Sequence, residues 1–142
     1  DLQIGDSISI NGVCLTVEKF TNNTFCATII KESLNKSSLI LLKENDKVNL
    51  EKSLKYNARI SGHLVQGHVE GLGKIVKKNN IDDNIVTFTI ELDEKLMKYC
   101  IYKGSIAIDG ISLTISNIND SNFYSRKYRR LYKGCQRRRK VS

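Results

Sequence analysis

The feature that most constrains this chain is one sequence pattern that occurs twice, 98 residues apart. Residues 7–17 read SISINGVCLTV, and residues 105–115 read SIAIDGISLTI. At the same separation Phe25 matches Phe123, and beyond that position the two copies diverge. A period this long indicates two copies of a small domain, because solenoid units repeat at about 20 to 50 residues. We therefore expect two related folding units in one chain.

Each copy of the repeat predicts a β-hairpin. Asn-Gly at 11–12 and Asp-Gly at 109–110 are favoured in two-residue turns, whose central residues need positive φ. On the returning strand apolar and small polar residues alternate, so Cys14 and Thr16 share one face, as do Ser112 and Thr114. Such a face is either simply solvated or a ligand-binding surface. The recurrence of the same small polar pair favours ligand binding.

The rest of the chain consists mostly of short segments with strand-like patterns. Residues 85–92 alternate clearly, 24–30 are rich in β-formers, and 47–50 follow a turn-like triplet, whereas 34–42 are ambiguous. Residues 93–99 predict a short helix with Asp93 as its N-cap. Many short, closely spaced strands are typical of small barrels. We predict an all-β protein with barrel domains at 1–61 and 62–123 and a basic tail at 124–142.

The net charge of +8 comes entirely from the end of the chain. Residues 1–120 have a net charge of −1, whereas residues 121–142 contain nine Lys and Arg and no acidic residue. Tyr124, Tyr128 and Tyr132 interleave with these bases, a pattern found in single-strand nucleic-acid binders. The basic segment coincides with the loss of the repeat, so nucleic-acid binding is the weaker hypothesis and we expect no nucleic-acid partner.

Composition argues against several other classes of protein. No apolar run approaches the roughly 20 residues of a membrane span, and the first residues do not resemble a signal peptide. The chain starts without Met, which suggests a processed or truncated product. Its four cysteines lack CxxC spacing, which argues against zinc ribbons and redox motifs. We therefore expect free thiols, a cytoplasmic location and no membrane partner.

Both histidines of the chain lie in one glycine-rich segment, GHLVQGHVEGLG at residues 62–73. His63 and His68 are five residues apart, on opposite faces of an extended chain, so we do not expect them to chelate one metal ion. The glycines form no nucleotide-binding fingerprint, because the required order of strand, turn and helix is absent. A histidine here is either structural or a ligand contact, and glycines that permit close backbone approach favour the contact.

Four motifs together resemble the riboflavin synthase family, whose hallmark is an internal duplication. They are INGVCLTV, GHLVQGHVEG, LMKYCIYKGS and IDGISLTI, in that order within residues 4–123. The resemblance implies two Greek-key barrels in a homotrimer, with 6,7-dimethyl-8-ribityllumazine bound to each barrel at the junction of neighbouring subunits. It also implies a transferase that dismutates two lumazines into riboflavin and 5-amino-6-ribitylamino-uracil, without a metal or a redox cofactor.

The resemblance also implies a set of substrate contacts. In the first copy these are Cys14, Leu15, Thr16, Thr28, Ile29, Ile30, Lys31, Glu32 and Ser33. At the start of the second domain and within it they are Gly67, His68, Val69, Lys103, Ser112, Leu113 and Thr114. For catalysis, His68 has the chemistry to transfer a proton, and Cys14 and Ser112 to act as nucleophiles or donors. Lys103 could stabilise an anion.

Two departures from the family limit what the resemblance implies. The chain starts after the family's Met-Phe-Thr-Gly-type strand, and after Phe123 it lacks the Pro-Glu-Thr-Leu-like ligand segment. We therefore expect two incomplete barrels, an impaired second site, and residues 124–142 that are out of frame or foreign. The main alternative is a lumazine or flavin carrier without catalysis. The presence of Cys14, His68, Lys103 and Ser112 favours the enzyme.

Overall fold

β-strands make up most of the regular structure. The computed structural model describes residues 2–82 and 85–128, with the backbone alone for residues 126–128. The strands are β1 Ser7–Ile10, β2 Val13–Thr16, β3 Lys19–Phe20, β4 Phe25–Cys26, β5 Leu50–Lys52, β6 Lys74–Asn80, β7 Ile85–Glu91, β8 Ser105–Ile108, β9 Ile111–Ile118 and β10 Asn122–Tyr128. The helical segments are α1 Lys31–Asn35, a 3-10 turn at Ser38–Leu41, and α2 Glu94–Met97.

The strands form antiparallel sheets that belong to different parts of the chain. The first repeat contributes the sheets β2-β1-β5 and β3-β4, and the second contributes β6-β7-β10-β9-β8. Among the described residues the five-stranded sheet ends at β6 and β8, so it is open and not closed into a ring. The predicted all-β class, with incomplete barrels, is confirmed.

Both predicted hairpins are present with the predicted turns. β1 pairs with β2, and β8 with β9, in registers that are identical once the 98-residue shift is applied. The turn residues have positive φ, with 46° at Asn11, 84° at Gly12, 48° at Asp109 and 77° at Gly110. These are the left-handed conformations that a two-residue hairpin turn requires.

The repeat extends further in the backbone than in the sequence. The β3–β4 pair has the same register as the start of the β9–β10 pair, with Phe25 and Phe123 in equivalent positions. The turns at 21–24 and 119–122 are each closed by the same backbone hydrogen bond, of 2.7 and 2.9 Å. Backbone geometry is therefore conserved between the copies even where the side chains have diverged.

β10 continues past the position at which the sequence repeat stops. Its backbone pairs with β7 over its full length, from Asn122 to Tyr128, and it is the central strand of the five-stranded sheet. Ser125 is 0% exposed, so the strand is integrated into the fold beyond Phe123. The predicted start of the tail at residue 124 thus falls inside a central strand, and residues 129–142 lie outside the described residues.

Each repeat has an apolar core of its own. Phe25 and Phe123 are 2% and 1% exposed, and the equivalent residues Val17 and Ile115 are 0% and 2% exposed. The first core consists of Ile8, Ile10, Val13, Val17, Phe25 and Leu39. The second consists of Ile90, Met97, Ile115 and Phe123.

The predicted short helix is present as α2, and it begins as expected. Asp93 caps it, because a carboxylate oxygen of Asp93 accepts a hydrogen bond of 2.8 Å from the N–H of Lys95. No helix among residues 2–82 and 85–128 has the length and apolar character needed to cross a membrane.

Two predicted strands differ from those in the structure. Residues 24–30 are paired only at Phe25–Cys26, because the chain then turns into α1, where the N–H of Leu34 donates to the carbonyl of Ile30 at 3.0 Å. The strand expected at 47–50 begins only at Leu50. Tertiary pairing with β1 thus determines where β5 lies.

The two hairpin turns touch each other. A Cβ atom on Gly12 would lie 2.6 Å from the backbone nitrogen of Gly110, which leaves no room for a side chain. Around this contact, the Asn49 amide donates to the Asp109 carbonyl and the Ser38 hydroxyl to the Asp109 carboxylate, both at 2.8 Å. The turns therefore form a direct junction between the two repeats.

Candidate functional site

The segment at 59–69, called the linker below, connects the repeats and lies against the polar strand face of each. Gly67 packs on Cys14 of β2, and Gly62 packs on Ser112 of β9. Cys14 and Ser112 are equivalent positions of the two copies, and each of the glycines is followed by a histidine. One short segment therefore contacts the same position of both repeats.

The contact at Cys14 is made through the backbone. The N–H of Cys14 donates to the carbonyl of Gly67 at 2.9 Å. Gly67 has a φ of 78°, and a Cβ atom there would lie 2.6 Å from the Cβ of Cys14. Both the conformation and the close approach require glycine. Cys14 is half-buried beneath the linker.

The contact at Ser112 adds a side chain. Nδ1 of His63 lies 2.8 Å from Oγ of Ser112, within hydrogen-bond distance. Gly62 has a φ of 87°, and a Cβ atom on it would lie 2.7 Å from both the Cβ and the Oγ of Ser112. His63 is half-buried, whereas Ser112 is exposed on the surface of the strand. The histidine is thus the group that holds the serine hydroxyl.

A cavity of about 650 Å³, called the linker cavity, lies between the linker and both strand faces. Cys14 and Ser112 line it together, with His63, Gly67 and the basic side chain of Arg59. Its volume is within the range of about 300 to 1,000 Å³ typical of small-molecule sites. The structure therefore brings together one predicted residue from each repeat and the linker glycine.

A second cavity, of about 450 Å³ and called the barrel cavity, lies between the core of the second repeat, the linker and the first repeat, which contributes Asn11, Gly12, Ser37 and Ser38. Gly67, His68 and Val69 line it, together with apolar core side chains and Cys100. Burial raises the pKa of the Cys100 thiol, which favours the protonated and less nucleophilic form. His68 is exposed, and its linker position places it between the two repeats.

The other predicted residues of the two hairpins alternate across the strands. Leu15 and Leu113 are half-buried, whereas Thr16 and Thr114 are exposed on the side of Cys14 and Ser112. Leu15 packs against the first apolar core. The two threonine hydroxyls are therefore available to a ligand on the polar faces.

The predicted ligand segment at 28–33 runs into α1. Thr28 donates to the Glu18 carboxylate at 2.9 Å, Ile29 packs against the first core, and Ile30 is the N-cap residue of α1. Lys31, Glu32 and Ser33 form the first turn of the helix. In the described part of the chain, residues 28–33 lie outside the lining of both cavities.

Glu32 has a local partner on α1. Its carboxylate lies 2.9 Å from the ammonium group of Lys36, one helical turn further on. The hydrogen bond from Lys36, and then its charge, hold the pKa of Glu32 below its usual range. The Glu32–Lys36 ion pair is exposed to solvent, and it favours the ionised form of the Glu32 carboxylate.

Lys103 is held in an unusual backbone conformation. Its φ is 61°, and its N–H donates to the carbonyl of Ile115 at 2.8 Å. The equivalent residue of the first repeat is Gly5, with a φ of 91° and the same bond to Val17. A left-handed conformation costs a non-glycine residue about 1–2 kcal/mol, and such strain clusters at functional sites. The backbone conformation at this position favours glycine, which the first repeat has there, whereas the second repeat has Lys103.

His63 and Gly62 belong to this site, although neither is among the predicted substrate contacts. The sequence signal for these two residues is the Gly-His dipeptide, which occurs twice in the linker. Two copies of the strand face and two copies of the dipeptide suggest that each dipeptide contacts one face. Within residues 2–82 and 85–128, no group of three or more His, Cys, Asp or Glu is placed to hold a metal ion.

A family model described as "Lumazine binding domain" matches residues 1–53 and 66–127. The chain belongs to the lumazine-binding domain family. The two matched stretches contain the two hairpins, and the gap between them includes the predicted boundary at 61/62. The second stretch ends inside β10, four residues beyond Phe123.

Several curated relatives in this family carry the name riboflavin synthase. The chain is 46% identical over 123 residues to that of Actinobacillus pleuropneumoniae, covering 87% of this chain and 57% of the relative. It is 41% identical over 120 residues to that of Bacillus subtilis, covering 84% and 55%. It is 44% identical over 124 residues to that of Schizosaccharomyces pombe, covering 87% of this chain and 59% of the relative. The chain spans about half the length of these relatives.

Solved structures of the protein LumP share the fold at low sequence identity. The complex of LumP with 6,7-dimethyl-8-(1'-D-ribityl) lumazine gives a TM-score of 0.79 at 20% identity, covering 99% of this chain and 76% of that one. The complex with riboflavin gives 0.81 at 20% identity, covering 99% and 77%. The likeness shows that this chain has the fold of those proteins.

Proposed function

We propose that this protein acts as a riboflavin synthase, a transferase that converts two 6,7-dimethyl-8-ribityllumazine molecules into riboflavin and 5-amino-6-ribitylamino-uracil. Identity of 46% to an enzyme of that name, across both repeats, supports this. The observation that carries the proposal is the doubled polar face, with Cys14 and Ser112 at equivalent positions of the two repeats. Two equivalent faces suit a reaction that consumes two copies of one substrate.

The chemistry of the reaction matches the available side chains. The lumazine ring is planar and rich in acceptors, so the hydroxyls of Thr16 and Thr114 can donate to its edge. One ring must lose a proton from its C7 methyl group, and His68 is the proposed base. Lys103 stabilises the resulting anion, and Cys14 or Ser112 acts on the other ring.

A four-carbon unit then passes from one lumazine to the other. The two products together contain all the atoms of the two substrates, so the reaction needs no oxidant, reductant or co-substrate. Much of the rate enhancement would come from holding the two rings in one stacked geometry. We extend the proposal to a homotrimer, which the family resemblance supports, while the cytoplasmic location stays a prediction.

Turnover of the proposed substrate is the direct test. The chain is incubated with 6,7-dimethyl-8-ribityllumazine, and we expect one riboflavin for every two lumazines consumed. His68→Gln should lower the rate by about 10²- to 10⁴-fold, the usual contribution of a general base. Asn23→Ala, in the exposed turn at 21–24, is the matched control and should leave the rate unchanged.

The two competing hypotheses give different results. Binding of lumazine without turnover would favour a carrier, and absence of binding would overturn both flavin-pathway hypotheses. Nucleic-acid binding through the basic segment, of which residues 129–142 lie outside the described residues, would show as strongly salt-dependent affinity.

A further inference from the structure

The linker contains two Gly-His pairs, and the proposed mechanism uses only one of them. His68 follows the glycine that lies on Cys14, and His63 follows the glycine that lies on Ser112. The two glycines have similar φ values, 78° and 87°, and each lies within van der Waals contact of its strand residue. The pairs are therefore matched, one for each repeat.

The pair at the second repeat includes a specific side-chain contact. Ser112 is exposed on β9, where a serine hydroxyl is free to populate several rotamers. Nδ1 of His63, 2.8 Å away, selects one of them, and Gly62 packs against the same Cβ and Oγ. Histidine and serine both line the linker cavity, so the hydroxyl is fixed at the wall of that cavity.

From this geometry we infer that His63 is a positioning residue, which orients the Ser112 hydroxyl toward a ligand in the linker cavity. The inference rests on the proposed function for the identity of that ligand. In the first repeat the backbone of Gly67 fixes Cys14. In the second repeat His63 performs the equivalent task for Ser112 through a side chain.

The tautomer of His63 determines what Ser112 can offer. If Nδ1 carries the proton, it donates to Oγ of Ser112, and the serine hydroxyl proton remains available to a ligand. If Nδ1 is unprotonated, it accepts that hydroxyl proton and only the oxygen lone pairs face the cavity. The lumazine ring is rich in acceptors, so the proposal requires the Nδ1–H tautomer in the complex.

Two substitutions of His63 separate positioning from mere packing. The amide of Asn lies where Nδ1 lies in histidine, whereas the amide of Gln reaches further, toward the position of Nε2. His63→Asn should therefore bind 6,7-dimethyl-8-ribityllumazine within about twofold of wild type. His63→Gln should bind it about three- to tenfold more weakly, the effect of losing one hydrogen bond. Equal affinities of the two variants would overturn the inference.

A spectroscopic measurement tests the contact without any ligand. The ¹⁵N signals of the imidazole rings report which nitrogen carries the proton. Ser112→Ala should change the tautomer balance of His63 while leaving the His68 signals unchanged, and unchanged His63 signals would overturn the inference. If wild type binds no lumazine, the proposed function fails and the positioning role with it. The ring signals would then show whether the pair itself exists.

Discussion

The first and second repeats carry the same hairpin in different surroundings. In the first, Ile8, Ile10 and Val13 are buried, because β5 pairs with the free edge of β1 and the first core packs on the hairpin. The equivalent residues of the second, Ile106, Ile108 and Ile111, are only half-buried, and in the described part of the chain β8 has no strand paired to its outer edge. Local sequence thus determines the hairpin, whereas the elements packed on it determine its burial.

The same contrast holds at the polar faces. Cys14 is half-buried and held through its backbone N–H, whereas Ser112 is exposed and held through its hydroxyl. The two equivalent residues are thus held at the linker cavity by different contacts. The two faces therefore need not contribute equally to binding or to chemistry.

The largest expected effect concerns the equivalent core phenylalanines. Phe25→Ala and Phe123→Ala should each lower the free energy of unfolding by about 3–5 kcal/mol, because both rings are buried and their loss leaves a cavity. Urea unfolding followed by circular dichroism measures this. A cost below about 1 kcal/mol at Phe123 alone would mean that the second core is not packed as the first is.

Much of the fold could be predicted, because its signals are local. Asn-Gly and Asp-Gly turns with alternating strands predict both hairpins, and Asp93 predicts the start of α2. The paired strand after Phe25 proved shorter than predicted, and β10 longer than the repeat indicated. β10 is longer because it pairs with β7, a strand far away in the sequence that no local pattern encodes. The strand at Phe25 is shorter because the chain turns into α1 directly after it.

The next largest effect concerns the junction of the two turns. Gly12→Ala should destabilise the chain by about 2 kcal/mol or more, because it adds a left-handed alanine and a clash with the backbone of Gly110. Gly5→Ala is the matched control. It has a φ of 91°, and no atom of the described residues lies within 4 Å of the added Cβ, so it should cost only about 1 kcal/mol. Equal costs would argue against a tight junction.

A smaller effect separates stability from function at Lys103. Lys103→Gly should stabilise the chain by up to about 1 kcal/mol, because it relieves a left-handed conformation that the first repeat gives to Gly5. The reciprocal change, Gly5→Lys, should destabilise by a similar amount. Thermal unfolding measures both. If Lys103 stabilises the substrate anion, Lys103→Gly should also lower riboflavin formation, whereas unchanged turnover would remove it from the proposed mechanism.

The site was less predictable than the fold, and the reason is geometric. The strand alternation places Cys14 and Ser112 on polar faces, as expected. That the linker would lie across both, with Gly62 and His63 on Ser112, depends on the path of the chain between domains. Sequence shows the two Gly-His pairs, but it does not show which strand each of them meets.

The smallest expected effect concerns the ion pair between Glu32 and Lys36 on α1, the helix that follows the paired strands of the first repeat. Lys36 lowers the pKa of Glu32, so the ion pair stabilises the folded state above the ordinary pKa of the carboxyl group. That stabilisation is lost as the pH falls through the lowered pKa of the folded state. Glu32→Gln should therefore lower the thermal midpoint slightly at neutral pH and not at strongly acidic pH. High salt should also reduce the difference, because the pair is exposed. A difference that persisted in acid would mean that Glu32 acts through packing and not through its charge.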